Sequence, residues 1–180
     1  MADTAVLVID MLNAYRHPDA EQLMDSVADI LEPLADLIHR GRDREDVEVV
    51  YVNDNYGDFT GDWDDIVRAA LDGARPDLVK PILPTADCLR LTKVRHSAFY
   101  ATQLDYLLQQ LKPARLVITG QVTEQCVLYT ALDAYVRHHD VVVPPDAVAH
   151  IDAGLGEAAL EMMRRNMRAE LIPAAQCLPA

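Results

Sequence analysis

The chain has 180 residues, 51% of them hydrophobic, a length that fits one globular domain with a sizeable core. Lysine and arginine number 16 against 29 acidic residues, and this net charge of -13 argues against nucleic acid or an anionic membrane as a partner. Three cysteines without CxxC spacing predict no disulfide framework, and no leader-like start or 18-residue apolar run is present, so we expect a cytoplasmic protein that does not span a membrane.

Strand-like apolar runs alternate with amphipathic helical segments along the chain. The predicted strands cover residues 4–9, 47–52, 115–119, 140–144 and 169–173, with a weaker run at 89–93. The predicted helices cover about 20–40, 62–71, 101–111, 127–135 and 156–168, and Gly41 is a plausible end for the first. This alternation predicts an α/β fold, in which a parallel sheet carries helices on both faces.

The segment from about 53 to 88 differs from the rest because it is rich in Asn, Gly, Asp and Pro. We interpret it as a covering segment over the carboxyl edge of the sheet, within one domain that spans residues 1–180. Parallel sheets bind ligands at that edge, where Asp10, Asn53, Asp54 and the stretch 121–126 are expected to meet. The four aspartates near residue 62 are interpreted as caps of the short helix rather than as a cation site.

Cys126 follows a predicted strand and falls in the first turn of a predicted helix, with Thr123 as its natural N-cap. The positive end of a helix dipole favours thiolate over thiol, so a lowered pKa and a nucleophilic role are expected, although an inert buried cysteine fits the position equally well. Asp10 and Lys93 also follow apolar runs and could accept the thiol proton and hold the thiolate. Taken singly, they could equally be a turn cap and a surface lysine.

Three segments, residues 7–13, 92–99 and 120–134, resemble the isochorismatase-like cysteine hydrolases in order and spacing. The resemblance implies a six-stranded parallel sheet of order 3-2-1-4-5-6 and a catalytic triad of Asp10, Lys93 and Cys126. It implies that Asp10 accepts and returns a proton, Lys93 stabilises the thiolate, and Cys126 forms the covalent intermediate. It further implies an oxyanion hole from the backbone N–H groups of Val122 and Cys126, and a cis peptide bond between Gln121 and Val122.

Nicotinamidases of this family carry an Asp-x-His sequence and a further histidine that hold a metal. The equivalent stretch here, residues 53–56, contains no histidine, so neither a metal nor another cofactor is expected. Leu12 replaces the glutamine usual in the first motif, which removes one polar pocket contact. The residues assigned to substrate binding are Asn13, Tyr15, Trp63, Gln121 and Tyr129.

The expected function is hydrolysis of a C–N bond in a small amide or carbamoyl compound through a thioester on Cys126. One alternative is hydrolysis of a vinyl ether of the isochorismate type, in which Asp10 would protonate the substrate and Cys126 would be incidental. A second is a non-catalytic family member that acts as a binding module. The resemblance also implies a homo-oligomer, a dimer or tetramer.

Overall fold

The computed structural model describes residues 2–178. Its strands form one parallel sheet. They are β1 (Thr4–Ile9), β2 (Val47–Asp54), β3 (Leu89–Lys93), β4 (Arg115–Gln121), β5 (Val141–Val142) and β6 (Val148–Ala149). The α-helices are α1 (Ala20–Arg42), α2 (Trp63–Leu71), α3 (Pro76–Val79), α4 (Leu104–Leu111), α5 (Leu128–Val136) and α6 (Ala153–Asn166).

The sheet is covered on both faces, as its continuous apolar strands predict. In β1, Val6 and Val8 face a core shared with α1, whereas Leu7 and Ile9 face a second core shared with α4, α5 and α6. All six residues of β1 are buried. The predicted three-layer α/β architecture is therefore confirmed.

The strand order is β3-β2-β1-β4-β5, with β6 paired to β4. The six-stranded parallel sheet is confirmed, but the predicted last strand at residues 169–173 is wrong, since it makes only a single bridge, from Glu170 to Val142. Instead, Val148 and Ala149 extend the sheet beside Gly120 and Gln121, beyond the short β5. Proline explains the short β5, because two prolines at 144 and 145 lack the N–H that a longer ladder requires.

Helix boundaries differ from the sequence expectation by two residues or more in α1, α4 and α6. Helix α6 covers Ala153–Asn166 rather than 156–168, since the Asp152 side chain caps its start by accepting the Leu155 N–H. Helix α1 continues past Gly41 to Arg42, and an added Cβ at Gly41 would lie 3.0 Å from Val49 Cγ2 of β2. Helix α4 begins at Leu104 rather than at 101, since the Thr102 hydroxyl donates to the Ala98 carbonyl in a separate turn. The capping role of the aspartates near residue 62 is confirmed, because Asp62 and Asp65 form a reciprocal capping box at the start of α2.

Strands β1 and β4 approach closely at the carboxyl edge of the sheet. Gly120 has φ +104°, and a Cβ at this position would lie 2.2 Å from the Ile9 carbonyl oxygen. Only glycine accommodates both this backbone conformation and this approach. The contact brings Asp10, the residue after β1, beside Gln121 at the end of β4. Among residues 2–178, no helix combines the length and apolarity that crossing a membrane requires.

Gly120→Ala should destabilise the fold by more than about 3 kcal/mol, because the new Cβ would force β1 and β4 apart. Gly57→Ala is the matched control, since Gly57 also has positive φ (+82°) but has no atom within 4 Å of an added Cβ. It should cost only about 1 kcal/mol of backbone strain. Urea unfolding measures both free energies, and equal losses would show that the close approach of the strands is unimportant.

Candidate active site

The side chains of Asp10, Lys93 and Cys126 come together at the carboxyl edge of the sheet. Lys93 Nζ lies 2.8 Å from Asp10 Oδ2 and 3.6 Å from Cys126 Sγ. All three residues are buried, with 7%, 1% and 8% of their surfaces exposed, respectively. Asp10 follows β1, Lys93 ends β3, and Cys126 lies in a π-turn, Thr123–Val127, that leads from β4 into α5. The structure thus assembles the residues that the resemblance assigned to a triad.

Hydrogen bonds from two neighbouring strands, β2 and β4, fix the position of Asp10. Its N–H donates to the Val52 carbonyl, and its Oδ1 accepts the N–H of Asp54 at 2.8 Å. Its own carbonyl accepts the side-chain amide of Gln121 at 2.6 Å. Asp10 has φ +54°, a conformation in which aspartate is one of the tolerated residues. These contacts leave Oδ2 to face Lys93.

Asp54 is a second carboxylate partner of Lys93 that the sequence did not pair with it. Lys93 Nζ lies 3.2 Å from Asp54 Oδ2, and the two residues are register partners in β2 and β3. Asp10 and Asp54 follow neighbouring predicted strands, and this placement could have predicted that both carboxylates approach the same lysine. The lysine ammonium is therefore balanced by carboxylates from both β1 and β2.

Burial and mutual charge set the ionisation of the cluster. Burial raises the pKa of Asp10, although the Lys93 charge opposes the shift. Burial disfavours the ammonium of Lys93, but the charges of Asp10, Cys126 and Asp54 raise its pKa above the ordinary value. The lysine therefore stays charged, and Asp10 becomes a stronger base than an exposed carboxylate.

The expected lowering of the Cys126 pKa is wrong. Burial and then the Asp10 carboxylate raise the thiol pKa, and together they outweigh the opposing charge of Lys93. The expected N-cap is also wrong, because Val122 occupies that position and no side chain caps the turn. In residues 2–178, the Thr123 hydroxyl is buried without a hydrogen-bond partner. Cys126 is thus a buried thiol whose surroundings favour the protonated form.

The turn between β4 and Cys126 has an unusual backbone. The Gln121–Val122 peptide bond is cis, as the resemblance implies. The Val122 carbonyl accepts the N–H groups of Gln125 at 3.0 Å and Val127 at 3.2 Å. This arrangement places the Val122 and Cys126 backbones in one tight turn beside the thiol.

His96 is a neighbour of Cys126 that sequence reasoning missed. Its Nδ1 lies 3.7 Å from Cys126 Sγ, and its ring packs on Tyr129 with the centroids 5.4 Å apart. The histidine is exposed and follows the end of β3 by three residues. One indication of this contact is present in the sequence, which is that His96 follows Lys93 by only three residues. No recognisable cysteine–histidine motif contains either residue.

Three of the residues assigned to substrate binding lie in the interior beside Asp10. Asn13 Oδ1 accepts the Tyr15 N–H at 2.7 Å, and Gln121 contacts the Asp10 carbonyl. Burial raises the pKa of Tyr15 to about 12, while the nearby Gln121 side chain opposes the shift. Within the described residues, the Tyr15 hydroxyl and Gln121 Oε1 are buried without hydrogen-bond partners. The Tyr15 and Gln121 side chains are thus close neighbours in the interior, without an ideally placed hydrogen bond for either atom.

The other two assigned residues lie farther out. Trp63 lines a cavity of about 420 Å³ in the covering segment, together with Tyr56 and Phe59. Tyr129 lines a shallow cavity of about 290 Å³ beside His96. The walls of both cavities, as far as residues 2–178 define them, do not include Asp10, Lys93 or Cys126. The structure therefore places Trp63 and Tyr129 on cavities outside the cluster, with Tyr129 packed on His96.

Tyr56 covers the cluster from the outside. Its hydroxyl donates to the Leu12 carbonyl at 3.0 Å. Although 54% of the residue's surface is exposed, the hydroxyl end is enclosed, and this local burial, with the charges of Asp10 and Asp54, raises its pKa well above the usual range. Leu12 contributes through its backbone, which exchanges two hydrogen bonds with the Asn53 side chain. A cavity of about 490 Å³ lies beside this cover, with Asp54 and His96 among its walls. This cavity connects solvent to residues that contact the cluster.

Comparison with known proteins identifies the family. A family model described as the Isochorismatase domain matches residues 4–176. The isochorismatase family protein YaaI of Bacillus subtilis is 34% identical over 170 residues, which cover 94% of this chain and 93% of that protein. The chain belongs to the isochorismatase family.

Two further similar proteins are named as an amidohydrolase and an amidase. Ureidoacrylate amidohydrolase RutB of Caulobacter vibrioides is 29% identical over 179 residues, covering 80% of this chain and 76% of that protein. The solved structure of N-carbamoylsarcosine amidase from Thermoplasma acidophilum matches with a TM-score of 0.73 and 27% identity, and the match covers 97% of each chain. The protein is accordingly an isochorismatase-family hydrolase.

The residues present do not fit the metal site that the resemblance attributes to nicotinamidases. Asp54 is committed to Lys93, and Tyr56 stands where the Asp-x-His sequence has its histidine, with its hydroxyl bonded to Leu12. Among residues 2–178, no group of three or more His, Cys, Asp and Glu side chains is arranged to hold a metal ion. A lysine ammonium instead supplies the positive charge of the site.

Lys93→Met should destabilise this isochorismatase-family protein by about 3 kcal/mol at neutral pH, because Asp10 would be left buried without a counter-charge. Since burial raises the Asp10 pKa, protonation at lower pH removes that charge, so the deficit should shrink as the pH falls. Urea unfolding across pH measures the deficit.

The double variant Asp10→Asn/Lys93→Met should recover part of this loss, because it removes both charges. Lys80→Met is the matched control at an exposed position and should change stability by less than about 0.5 kcal/mol. A deficit for Lys93→Met that is equal at all pH values, with no recovery in the double variant, would contradict the ion pair.

Proposed function

We propose that the protein is a cysteine-dependent hydrolase that cleaves a C–N bond of a small amide or carbamoyl compound. The observation that carries this proposal is the contact of Cys126 Sγ with Lys93 Nζ, while the same ammonium is paired with Asp10. A nucleophile, a proton acceptor and a fixed cation thus lie within one buried cluster. The names of the relatives support the bond type, since RutB and the Thermoplasma enzyme are called an amidohydrolase and an amidase.

In the first half of the reaction, the Asp10 carboxylate takes the proton of the Cys126 thiol. The sulfur attacks the substrate carbonyl carbon, and the oxyanion receives hydrogen bonds from the backbone N–H groups of Val122 and Cys126. The C–N bond then breaks, and the proton on Asp10 passes to the departing nitrogen. The products of this half are a thioester on Cys126 and free ammonia or amine.

In the second half, water hydrolyses the thioester. Asp10 takes a proton from the water molecule, whose oxygen attacks the thioester carbon. The C–S bond breaks, the acid leaves, and the sulfur recovers a proton from Asp10. Lys93 stays charged throughout, which matches its raised pKa, and it stabilises the sulfur whenever it carries negative charge.

The remaining assigned residues contact substrate at different depths. Gln121 and Tyr15 are assigned to the inner end of the substrate, because Gln121 contacts the Asp10 carbonyl and lies near Tyr15, whose N–H Asn13 Oδ1 accepts. Trp63 and Tyr129 line the outer cavities and contact the distal part of the substrate. Asp54 acts as a positioning residue, because it holds the Lys93 ammonium from the β2 side. The homo-oligomer and the cytoplasmic location stay predictions.

Cys126→Ala should abolish ammonia release from a panel of primary amides and ureido acids, with a loss of several orders of magnitude, because amide cleavage requires the nucleophile. Mass spectrometry of wild-type protein quenched during turnover should show an acyl adduct on the peptide that contains Cys126. Cys177→Ala is the matched control, since Cys177 is a second buried free thiol remote from the cluster in sequence, and it should retain turnover.

Two outcomes would move the protein to another class. A Cys126→Ala variant that still hydrolyses isochorismate at the wild-type rate, with no amide cleaved by either form, would favour vinyl-ether chemistry. Binding of amides without turnover by the wild-type protein would favour a binding module.

Chelation should leave turnover unchanged. We expect the same rate before and after dialysis against EDTA, because residues 53–56 contain no histidine, because no group of three or more His, Cys, Asp and Glu side chains among residues 2–178 is arranged to hold a metal ion, and because Lys93 supplies the charge. Activity lost on dialysis and restored by zinc, manganese or iron would show that a metal takes part.

A further inference from the structure

We propose that His96 is a further catalytic residue, which exchanges a proton with the Cys126 thiol from the solvent side of the site. This inference rests on the proposed function, since it concerns the ionisation of the proposed nucleophile. The observation that supports it is the 3.7 Å contact between His96 Nδ1 and Cys126 Sγ, which is only slightly longer than the 3.6 Å distance from Lys93 Nζ to the same sulfur.

The sulfur lies between two different environments. Asp10 and Lys93 approach it from the buried edge of the sheet, whereas His96 approaches it from an exposed position. A neutral histidine with its proton on Nε2 leaves Nδ1 free to accept a proton from the thiol. Histidine is also the side chain that exchanges protons with water between about pH 5 and 8. His96 therefore connects a buried thiol to bulk solvent.

The position of the histidine is fixed relative to the cysteine. Next to His96, the Ser97 hydroxyl donates to Asp133 at 2.5 Å and the Ala98 N–H donates to the Thr130 hydroxyl at 2.9 Å. Both acceptors lie on α5, the helix that continues the turn containing Cys126. Tyr129 of the same helix packs against the imidazole ring. The histidine and the thiol thus share one rigid support.

The surroundings of His96 contain groups of both signs. The titratable or charged side chains that face it or share its cavities are Asp54, Arg95, Tyr100, Cys126, Tyr129 and Asp133. The first two have opposite charge, and Asp133 is bonded to Ser97 and Arg137. Of these groups, the Cys126 thiol contacts His96 Nδ1 directly.

The proton balance is simple. The S–H bond breaks, its electron pair stays on sulfur, and the proton moves to Nδ1 to give a thiolate and an imidazolium. Asp10 remains an ionised carboxylate paired with Lys93 in this step, so the two routes to the thiolate differ only in which base holds the proton. When the C–N bond breaks, the imidazolium returns the proton to the departing nitrogen, and His96 is neutral again.

The test is the pH dependence of Cys126 alkylation by iodoacetamide, followed by mass spectrometry of the Cys126 peptide. In the wild type, the rate should rise as the pH passes through the range in which histidine loses its proton. His96→Asn keeps a side chain that can donate to sulfur but cannot accept a proton at these pH values. It should be alkylated at least about tenfold more slowly at pH 7 and should lose this rise.

His138→Asn is the matched control. His138 is an exposed histidine after α5 with φ +64°, a conformation that asparagine tolerates well. In the His138→Asn variant, the pH profile of Cys126 alkylation should equal that of the wild type. Cys88, a partly exposed thiol in the same samples, serves as the internal reference. An unchanged rate and pH profile in His96→Asn, with the fold intact by thermal unfolding, would overturn the inference.

The readout separates this inference from the proposed function. If Cys126 alkylation depends on His96 while no amide is cleaved, the amide assignment fails and the proton exchange between His96 and Cys126 stands. If amides are cleaved and alkylation ignores His96, the role of His96 fails and the amide assignment stands.

Discussion

The buried ammonium of Lys93 is the constraint on which the site depends. A lysine with 1% exposure keeps its charge only if carboxylates compensate for the lost hydration. The sheet supplies two of them, Asp10 after β1 and Asp54 at the end of β2. The order β3-β2-β1 makes this arrangement possible, because Lys93 at the end of β3 contacts Asp54 on the adjacent β2 and also reaches Asp10 after β1. The close approach of β1 to Gly120 then sets β4, and with it the turn of Cys126, at the correct distance from the ammonium.

The chemistry follows from a competition between burial and charge. A cysteine near the start of a helix would ordinarily be activated by the dipole, but burial and the adjacent carboxylate favour the protonated thiol here. Such a thiol becomes a nucleophile only when a base removes its proton during the reaction. In the proposed mechanism, Asp10, with its raised pKa, is that base on the interior side, and His96 is a second base on the solvent side.

The covering segment decides what reaches the cluster. Tyr56 bonds to the Leu12 backbone and occupies the place where the nicotinamidase pattern has a metal-binding histidine. The cavities outside it are lined by Phe59 and Trp63 on one side and by Arg95 and His96 on the other. In the proposed function, a substrate would pass an apolar aromatic wall and a polar wall on its way to the sulfur. Selectivity among amides is expected to reside in these walls, whereas the cluster beneath them sets the reaction.

The sequence by itself determined the α/β architecture and the positions of Asp10, Lys93 and Cys126, because buried parallel strands read as continuous apolar runs and their carboxyl ends share one edge. Tertiary structure alone decided the pairing of β6 with β4, the second carboxylate at Asp54 and the contact of His96 with the sulfur. It also reversed the expected direction of the thiol pKa shift. Local patterns encode which residues enter a strand or helix, whereas register, burial and long-range charge exist only once the chain is packed.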